Sequence, residues 1–221
     1  FGIGNMGQVN KIVTNIESAF RIEALSGVVL YGNITLYALI IGIVLMILTS
    51  LIVIGGLERI AAFAEKVVPF MVVLFVLGSL VIIGKNYINI LPAFRAIFVN
   101  AFKPISAIGG GIGVLVSTVI TQGFKRGVFS NEAGLGSSVM VHSNSNVKEP
   151  VAQGMWGIFE VFADTMVVCT MTALVVLTSG IYDMTTGTLA EGVTDATLVA
   201  TAFNSVFTFG NIGQKFIAIV M

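Results

Sequence analysis

Two stretches of the chain carry no charged residue at all: ITLYALIIGIVLMILTSLIVI at 34–54 and VVPFMVVLFVLGSLVIIG at 67–84. Neither alternates. A barrel strand facing lipid alternates apolar and polar positions at period two, and a helix on a soluble surface sets an apolar stripe against a charged face. A run that is apolar all round and about 20 residues long matches the length a helix needs to cross the hydrocarbon core. Lipid offers the backbone no hydrogen bonds, so such a run must satisfy them internally and is helical.

The same pattern divides the rest of the chain. Residues 1–16 read as the end of a preceding span. Residues 17–33, with Glu17, Arg21 and Glu23, read as a loop with a short amphipathic piece. Gly55-Gly56 ends the 34–54 span, and GLERIAAFAEK reads as a short connecting helix in water. Pro69 is expected in the first turn of the 67–84 span, where its missing N–H costs little. Residues 85–95 read as a polar loop. The stretch 97–121 is apolar enough to cross, but GGGIG interrupts it at 109–113. A Gly- and Ser-rich polar segment runs from 123 to Pro150. The next span is 151–179, opening near Trp156, a candidate interfacial anchor. Residues 180–210 hold Asp183, Glu191 and Asp195 and read as a loop; 211–221 begin another span. The expectation is a single fragment, 1–221, of one all-α polytopic membrane domain.

Composition strengthens the membrane reading. Hydrophobic residues make up 56% of 221 and charged residues 10%, against roughly 25% charged in soluble domains; mean hydropathy is +1.01. Net charge is zero, so nothing points to nucleic acid. The one cysteine, Cys169, excludes an internal disulfide framework and reads as inert packing. The chain opens FGIGNMGQVN, with no initiator methionine or basic leader, and ends FIAIVM inside an apolar run, so both ends are expected to be cut. Loop 123–150 contains Lys125, Arg126 and Lys148, whereas 180–210 contains no lysine or arginine. By the positive-inside rule the first is expected in the cytoplasm and the second outside. Lys85 and Arg95 then lie on the outer side, against the rule.

Chemistry concentrates in few places. Gly109, Gly110, Gly111 and Gly113 weaken a helix by about 1 kcal/mol each relative to alanine. An unwound turn at mid-membrane exposes backbone groups that can hold a substrate's charged ends and cations. The alternative is close helix packing through Gly109 and Gly113. Glu160 and Asp164, spaced i, i+4, share a helix face within a span. Intramembrane carboxylates face protein or a water-filled path, so these two are ion-handling or structural candidates. His142, the only histidine, has no partners at metal-ligand spacing and reads as a solvated loop residue. No catalytic constellation or nucleotide-binding fingerprint is present, so no enzyme activity is expected. Nor is there the repeated pore-lining filter of a channel, the alternative class.

Residues 123–138, GFKRGVFSNEAGLGSS, resemble the signature G-x-x-R-G-x-F-S-N-E-A-G-x-G-S of the sodium:alanine (alanine or glycine:cation) symporter family, with Arg126, Asn131, Glu132 and Gly134 in place. IGGLERIAAFAEKVVPFM at 54–71, AFKPISAIGGGIG at 101–113 and PVAQGMWGIFEVFADTMVVCTMTAL at 150–174 resemble the family's span-four to span-five junction, its broken sixth span and its seventh. FGIGNMGQVN resembles the end of its third span. The resemblance implies a partial leucine-transporter-like fold, with inverted five-helix repeats, running from the end of span three to the start of span eight, with the helix broken at 109–113. It also implies a multi-pass inner-membrane protein that takes up alanine or glycine with sodium, in some members with a proton. A proton-coupled carrier of the same fold is the alternative. Gly109, Gly110, Gly111 and Gly113 would line the substrate site, and the NEAGLGS loop would gate or brace the cytoplasmic side. No cofactor is expected. The main ligands of the coupling sodium would lie in spans outside these residues, so no metal ligand is assigned; alanine or glycine, sodium and membrane lipid are the expected partners. After GLGSS the sequence VMVHSNSNVKEP departs from the family's alanine-rich continuation, which weakens any role for His142.

Overall fold

The computed structural model describes residues 3–22, 27–31, 34–102, 112–131, 136–184, 186, 188–207 and 211–220. In chain order the helices are α1 (Ile3–Ala19), α2 (Leu36–Val53), α3 (Gly56–Lys85), α4 (Ile90–Phe102), α5 (Ile112–Ser130), α6 (Ser137–His142), α7 (Pro150–Thr178), α8 (Leu198–Val206) and α9 (Ile212–Val220). A 3-10 turn at Tyr87–Asn89 precedes α4. Two short antiparallel strands, β1 (Val29–Tyr31) and β2 (Ile34–Thr35), lead into α2. The protein is an all-α membrane protein; among the described residues, β structure is confined to this small ribbon and one isolated bridge between Tyr182 and Leu189. α2, α3 and α7 are each long and apolar enough to cross a membrane. Large apolar side chains such as Met46, Leu51 and Phe70 stand exposed on α2 and α3; in water such a surface would be an aggregation liability, and in a bilayer it is ordinary lipid contact.

Local chemistry sets the helix ends. Thr35 caps α2, its Oγ1 accepting from the Ala38 N–H at 3.1 Å, which satisfies one of the donors a helix start leaves open. Gly56, at φ +76°, lets the chain turn from α2 into α3 through a left-handed conformation that costs glycine little. Pro150 occupies the first turn of α7, pre-set for a helix and missing only an N–H that would have no partner there.

Three sequence expectations need correction here. GLERIAAFAEK is not a separate connecting helix. It forms the first part of the 30-residue α3, and Pro69 lies inside that helix, not in its first turn. The amphipathic piece and the apolar run share one helical phase, and the lost hydrogen bond at Pro69 does not end it. Residues 85–95 are not a loop: the chain passes through the 3-10 turn into α4, whose first turn accommodates Pro92. Nor is 180–210 only a loop, because it contains α8. The expected break at 109–113 falls largely outside the described residues, as do Glu132 and Gly134; Gly113 lies in the first turn of α5.

The described chain divides into two compact units, Phe1–Ile90 with Thr172–Met221, and Leu91–Met171. The first is built around Phe203 of α8, which is fully buried. Its ring stacks on Phe75 of α3 at 5.9 Å, on Phe207 at 6.4 Å and on Phe216 of α9 at 5.6 Å between centroids. Ile82, Val175, Ile181, Ala200, Ala202 and Ile217 complete the cluster. Two glycines permit this closeness. A Cβ on Gly78 would sit 2.7 Å from the Phe203 ring, and one on Gly213 would sit 2.4 Å from the backbone at Phe203 and Asn204. Buried Asn15 of α1 donates from Nδ2 to the carbonyls of Lys11 at 2.9 Å and Ala196 at 3.0 Å, tying α1 to the approach to α8. The second unit contains most of α4, with α5, α6 and the greater part of α7, and it holds the candidate site.

Candidate functional site at the end of α5

Helix α5 begins apolar, IGVLVSTVI, and ends polar, TQGFKRGVFS. Gln122, Lys125, Arg126, Phe129 and Ser130 recur at i, i+3, i+4, i+7 and i+8, which places them on one face. That face lines a cleft of about 700 Å³, closed on another side by Thr165 and Cys169 of α7. Polar side chains on one face of a helix from an apolar membrane bundle mark a water-filled or protein-lined path.

Two pairs of adjacent residues meet where the end of α5 packs beside α7. Ser130 Oγ donates to Asp164 Oδ2 at 2.5 Å, and Thr165 Oγ1 donates to Asn131 Oδ1 at 3.1 Å. Asn131 in turn donates to the Gly127 carbonyl both from its backbone N–H at 3.1 Å and from Nδ2 at 3.0 Å, which closes the end of α5. Ser130 Oγ also lies 3.7 Å from Cys169 Sγ. Asp164, Thr165 and Cys169 all belong to a π-helical segment, Ala163–Cys169, within α7. A π turn bonds i to i+5, is wider than an α turn and occurs frequently at functional sites. Here it presents Asp164 and Thr165 together to the end of α5.

A second polar contact fastens α6 to α7. His142 Nδ1 lies 2.6 Å from Gln153 Nε2, and His142 Nε2 lies 3.5 Å from Glu160 Oε2. Gln153 and Glu160 are seven residues apart and share a face of α7. In the tautomer in which Nδ1 accepts from the Gln153 amide, the ring proton sits on Nε2 and points to Glu160.

The structure therefore regroups the candidates. Asp164 joins the signature residue Asn131 through Ser130 and Thr165, while Glu160 takes a different partner, His142. The reading of His142 as a merely solvated loop residue is corrected: it is partly buried and has two side-chain partners. Cys169 is exposed and lines the cleft, where the sequence suggested inert packing. Arg126 lies on the cleft face of α5, and among the described residues neither it nor Lys125 has an acidic partner. Ser130 was overlooked, although it stands four residues after Arg126 inside the signature. Thr165 was overlooked too, because its partner is 34 residues away in sequence.

The comparisons with known proteins bear on the same segments. The profile of the sodium:alanine symporter family matches residues 1–221. The sodium/alanine symporter AgcS of Methanococcus maripaludis is 36% identical over 215 residues, 96% of this chain and 42% of that protein. A Bacillus subtilis relative named probable sodium/glutamine symporter GlnT is 38% identical over 200 residues, 90% of this chain and 38% of that protein. The amino-acid carrier protein AlsT of the same organism is 33% identical over 175 residues, 79% and 34% of the two chains. The chain spans about two fifths of the length of the curated relatives it matches. A signature that brings Arg126, Ser130 and Asn131 to one cleft, on a chain matched from first residue to last, leads to one assignment: the chain belongs to the sodium:alanine symporter family.

Proposed function

We propose that the full-length protein is a secondary transporter, not an enzyme, that carries alanine or glycine across the plasma membrane with sodium by alternating access. The observation that carries this reading is the family match over residues 1–221. The name of the AgcS relative, a sodium/alanine symporter, supports both substrate and ion. On this reading the chain contributes the end of span three to the start of span eight of a leucine-transporter-like fold of two inverted repeats. Gly109, Gly110, Gly111 and Gly113 line the substrate site through backbone groups, where open N–H and C=O groups offer partners to both ends of a zwitterion. Loop 123–150 is cytoplasmic and 180–210 external, as the basic residues suggest. Glu132 and Gly134 act with Arg126 and Asn131 in the cytoplasmic gate.

A second reading has a specific observation in its favour. The relative named a probable sodium/glutamine symporter is as similar as the others, at 38% identity, so a larger neutral amino acid is the competing substrate. The deciding experiment is uptake of labelled alanine, glycine and glutamine by the full-length protein in proteoliposomes, under a sodium gradient, a proton gradient or neither. Saturable alanine or glycine uptake that requires sodium is expected. Uptake of glutamine alone would replace the substrate, and equal uptake in sodium and potassium would overturn sodium coupling.

A further inference from the structure

We infer that the cleft at the end of α5 is a second subsite for substrate, holding a small neutral α-amino acid as its zwitterion between the glycine segment and the aqueous face reached by residues 123–150. The inference rests on the transport reading above and adds a site to it. The cleft is distinct from the glycine segment. Gly113 and Ser130 lie 17 positions apart on one continuous helix, about 25 Å at 1.5 Å per residue. A solute released at the glycines and travelling along α5 therefore meets Gln122, Lys125 and Arg126, then Ser130, in that order.

The charges on this face match a zwitterion and no simpler ion. Lys125 and Arg126 line the cleft and have no acidic partner among the described residues. An unpaired guanidinium binds a carboxylate through two parallel hydrogen bonds. One turn further on, the character reverses. Ser130, which lines the cleft, donates to the Asp164 carboxyl, Asn131 Oδ1 is an acceptor, and the last carbonyls of α5 give the helix end a partial negative charge. These groups suit an ammonium. Arg126 and Ser130 are four residues apart, so their Cβ atoms lie about 6 Å from each other, close enough for one amino acid to touch both regions. A bare cation would meet Lys125 and Arg126, and a phosphate or lipid headgroup anion would meet the acceptors at the end of α5. The volume of about 700 Å³ is within the range of small-molecule sites, about 300–1,000 Å³, and is loose around alanine. The subsite is accordingly weak, as a station on a release path must be.

The test uses purified, delipidated full-length protein in detergent and labelled alanine in equilibrium dialysis with sodium present. The expected result is two classes of site, a tight one and one roughly tenfold weaker. Losing a charge-assisted contact weakens binding roughly tenfold or more, so Arg126→Gln should remove the weak class and leave the tight one. Lys125→Gln is the second variant should Arg126→Gln fail to fold. Gly110→Leu should do the reverse, keeping the weak class only. Glycine should displace alanine from the weak class; glycerol phosphate, the headgroup anion, should not. A single class in the wild type, or a weak class that survives both substitutions, would overturn the inference. Displacement by glycerol phosphate without glycine would assign the basic face to lipid and overturn it equally. Sodium-driven uptake by the same preparation separates the two levels. If uptake persists with one class of site, the subsite alone fails; if uptake is absent, the transport reading fails first.

Discussion

Gly213 offers the sharpest test of the packing around Phe203. A methyl group there would sit 2.4 Å from Asn204 N and Phe203 C, and 2.6 Å from Asn204 Cα. Non-bonded carbon contacts are comfortable at about 3.5–4.0 Å, so α8 and α9 would have to part by about 1 Å. The atoms in the way are backbone and cannot rotate aside, as a side chain could. Overfilling a packed site costs about 1–3 kcal/mol, while alanine's helix preference over glycine returns at most about 1 kcal/mol. Gly213→Ala should therefore destabilise by about 1–2 kcal/mol. Gly42→Ala in α2 is the control, because its added methyl meets nothing within 4 Å; there the helix preference acts alone and the change should be neutral or stabilising. Gly78→Ala should fall between them, since its clash is with the edges of the Phe203 and Phe216 rings. The assay is thermal loss of the monodisperse peak of detergent-solubilised full-length protein. The Gly213 variant should melt measurably below the Gly42 variant. Equal melting of the two would refute the close approach of α8 and α9.

Gly110→Leu or Gly111→Leu should abolish uptake while the protein still inserts, because a leucine side chain occupies space a backbone-bound substrate needs; normal uptake kinetics in both would point to helix packing instead. Cysteines placed at Ser143 and Thr188 should label from the cytoplasm and from outside respectively, and the opposite pattern in intact cells would reverse the orientation. Asp164→Asn keeps shape and hydrogen-bonding capacity but removes the charge; because the main sodium ligands are expected in other spans, the sodium concentration for half-maximal uptake should stay unchanged with near-normal expression, and a several-fold rise would assign Asp164 to ion handling instead. His142→Ala should cost about 1 kcal/mol of stability, the usual worth of a hydrogen bond, and leave uptake near normal, as measured by melting and transport side by side.

The long helices were legible because a bilayer leaves a long apolar run little choice: 34–54, with no charge, and 151–179, with only Glu160 and Asp164, coincide closely with α2 and α7. The limits of α3 were not, since Pro69 reads as a boundary in sequence but is absorbed within 30 residues of helix. Helix α8 was hidden by its length. LVATAFNSV is too short to span and lies among turn residues, and its burial depends on stacking with Phe75, 128 positions earlier. The site was legible only in parts. Arg126, Asn131 and Asp164 stand out singly, as signature residues and as a charge in an apolar run. Their convergence depends on two facts no local pattern carries: the π segment that turns Asp164 and Thr165 together, and the packing of the end of α5 beside it.

The choice of partner for Asp164 is itself informative. A carboxylate within an apolar span costs about 2.5–3.5 kcal/mol on insertion scales, and pairing it with a cation would seem the direct remedy. Arg126 is available on the same cleft face, one turn before Ser130, yet Asp164 is held by the Ser130 hydroxyl. An arginine–aspartate pair would be closed: both charges would be neutralised, and breaking it would leave two uncompensated groups, a penalty of several kcal/mol where burial is deep. A hydroxyl leaves the charge in place and can turn to another acceptor by rotation about one bond. The neighbouring contact repeats the logic, with Thr165 donating to an amide oxygen and no charge consumed. Among the described residues the basic side chains of the cleft and the Asp164 carboxyl beside it are kept apart, and Asp164 is met by a neutral donor that can exchange partners. That arrangement is what the subsite proposed above, for a solute with one positive and one negative end, needs.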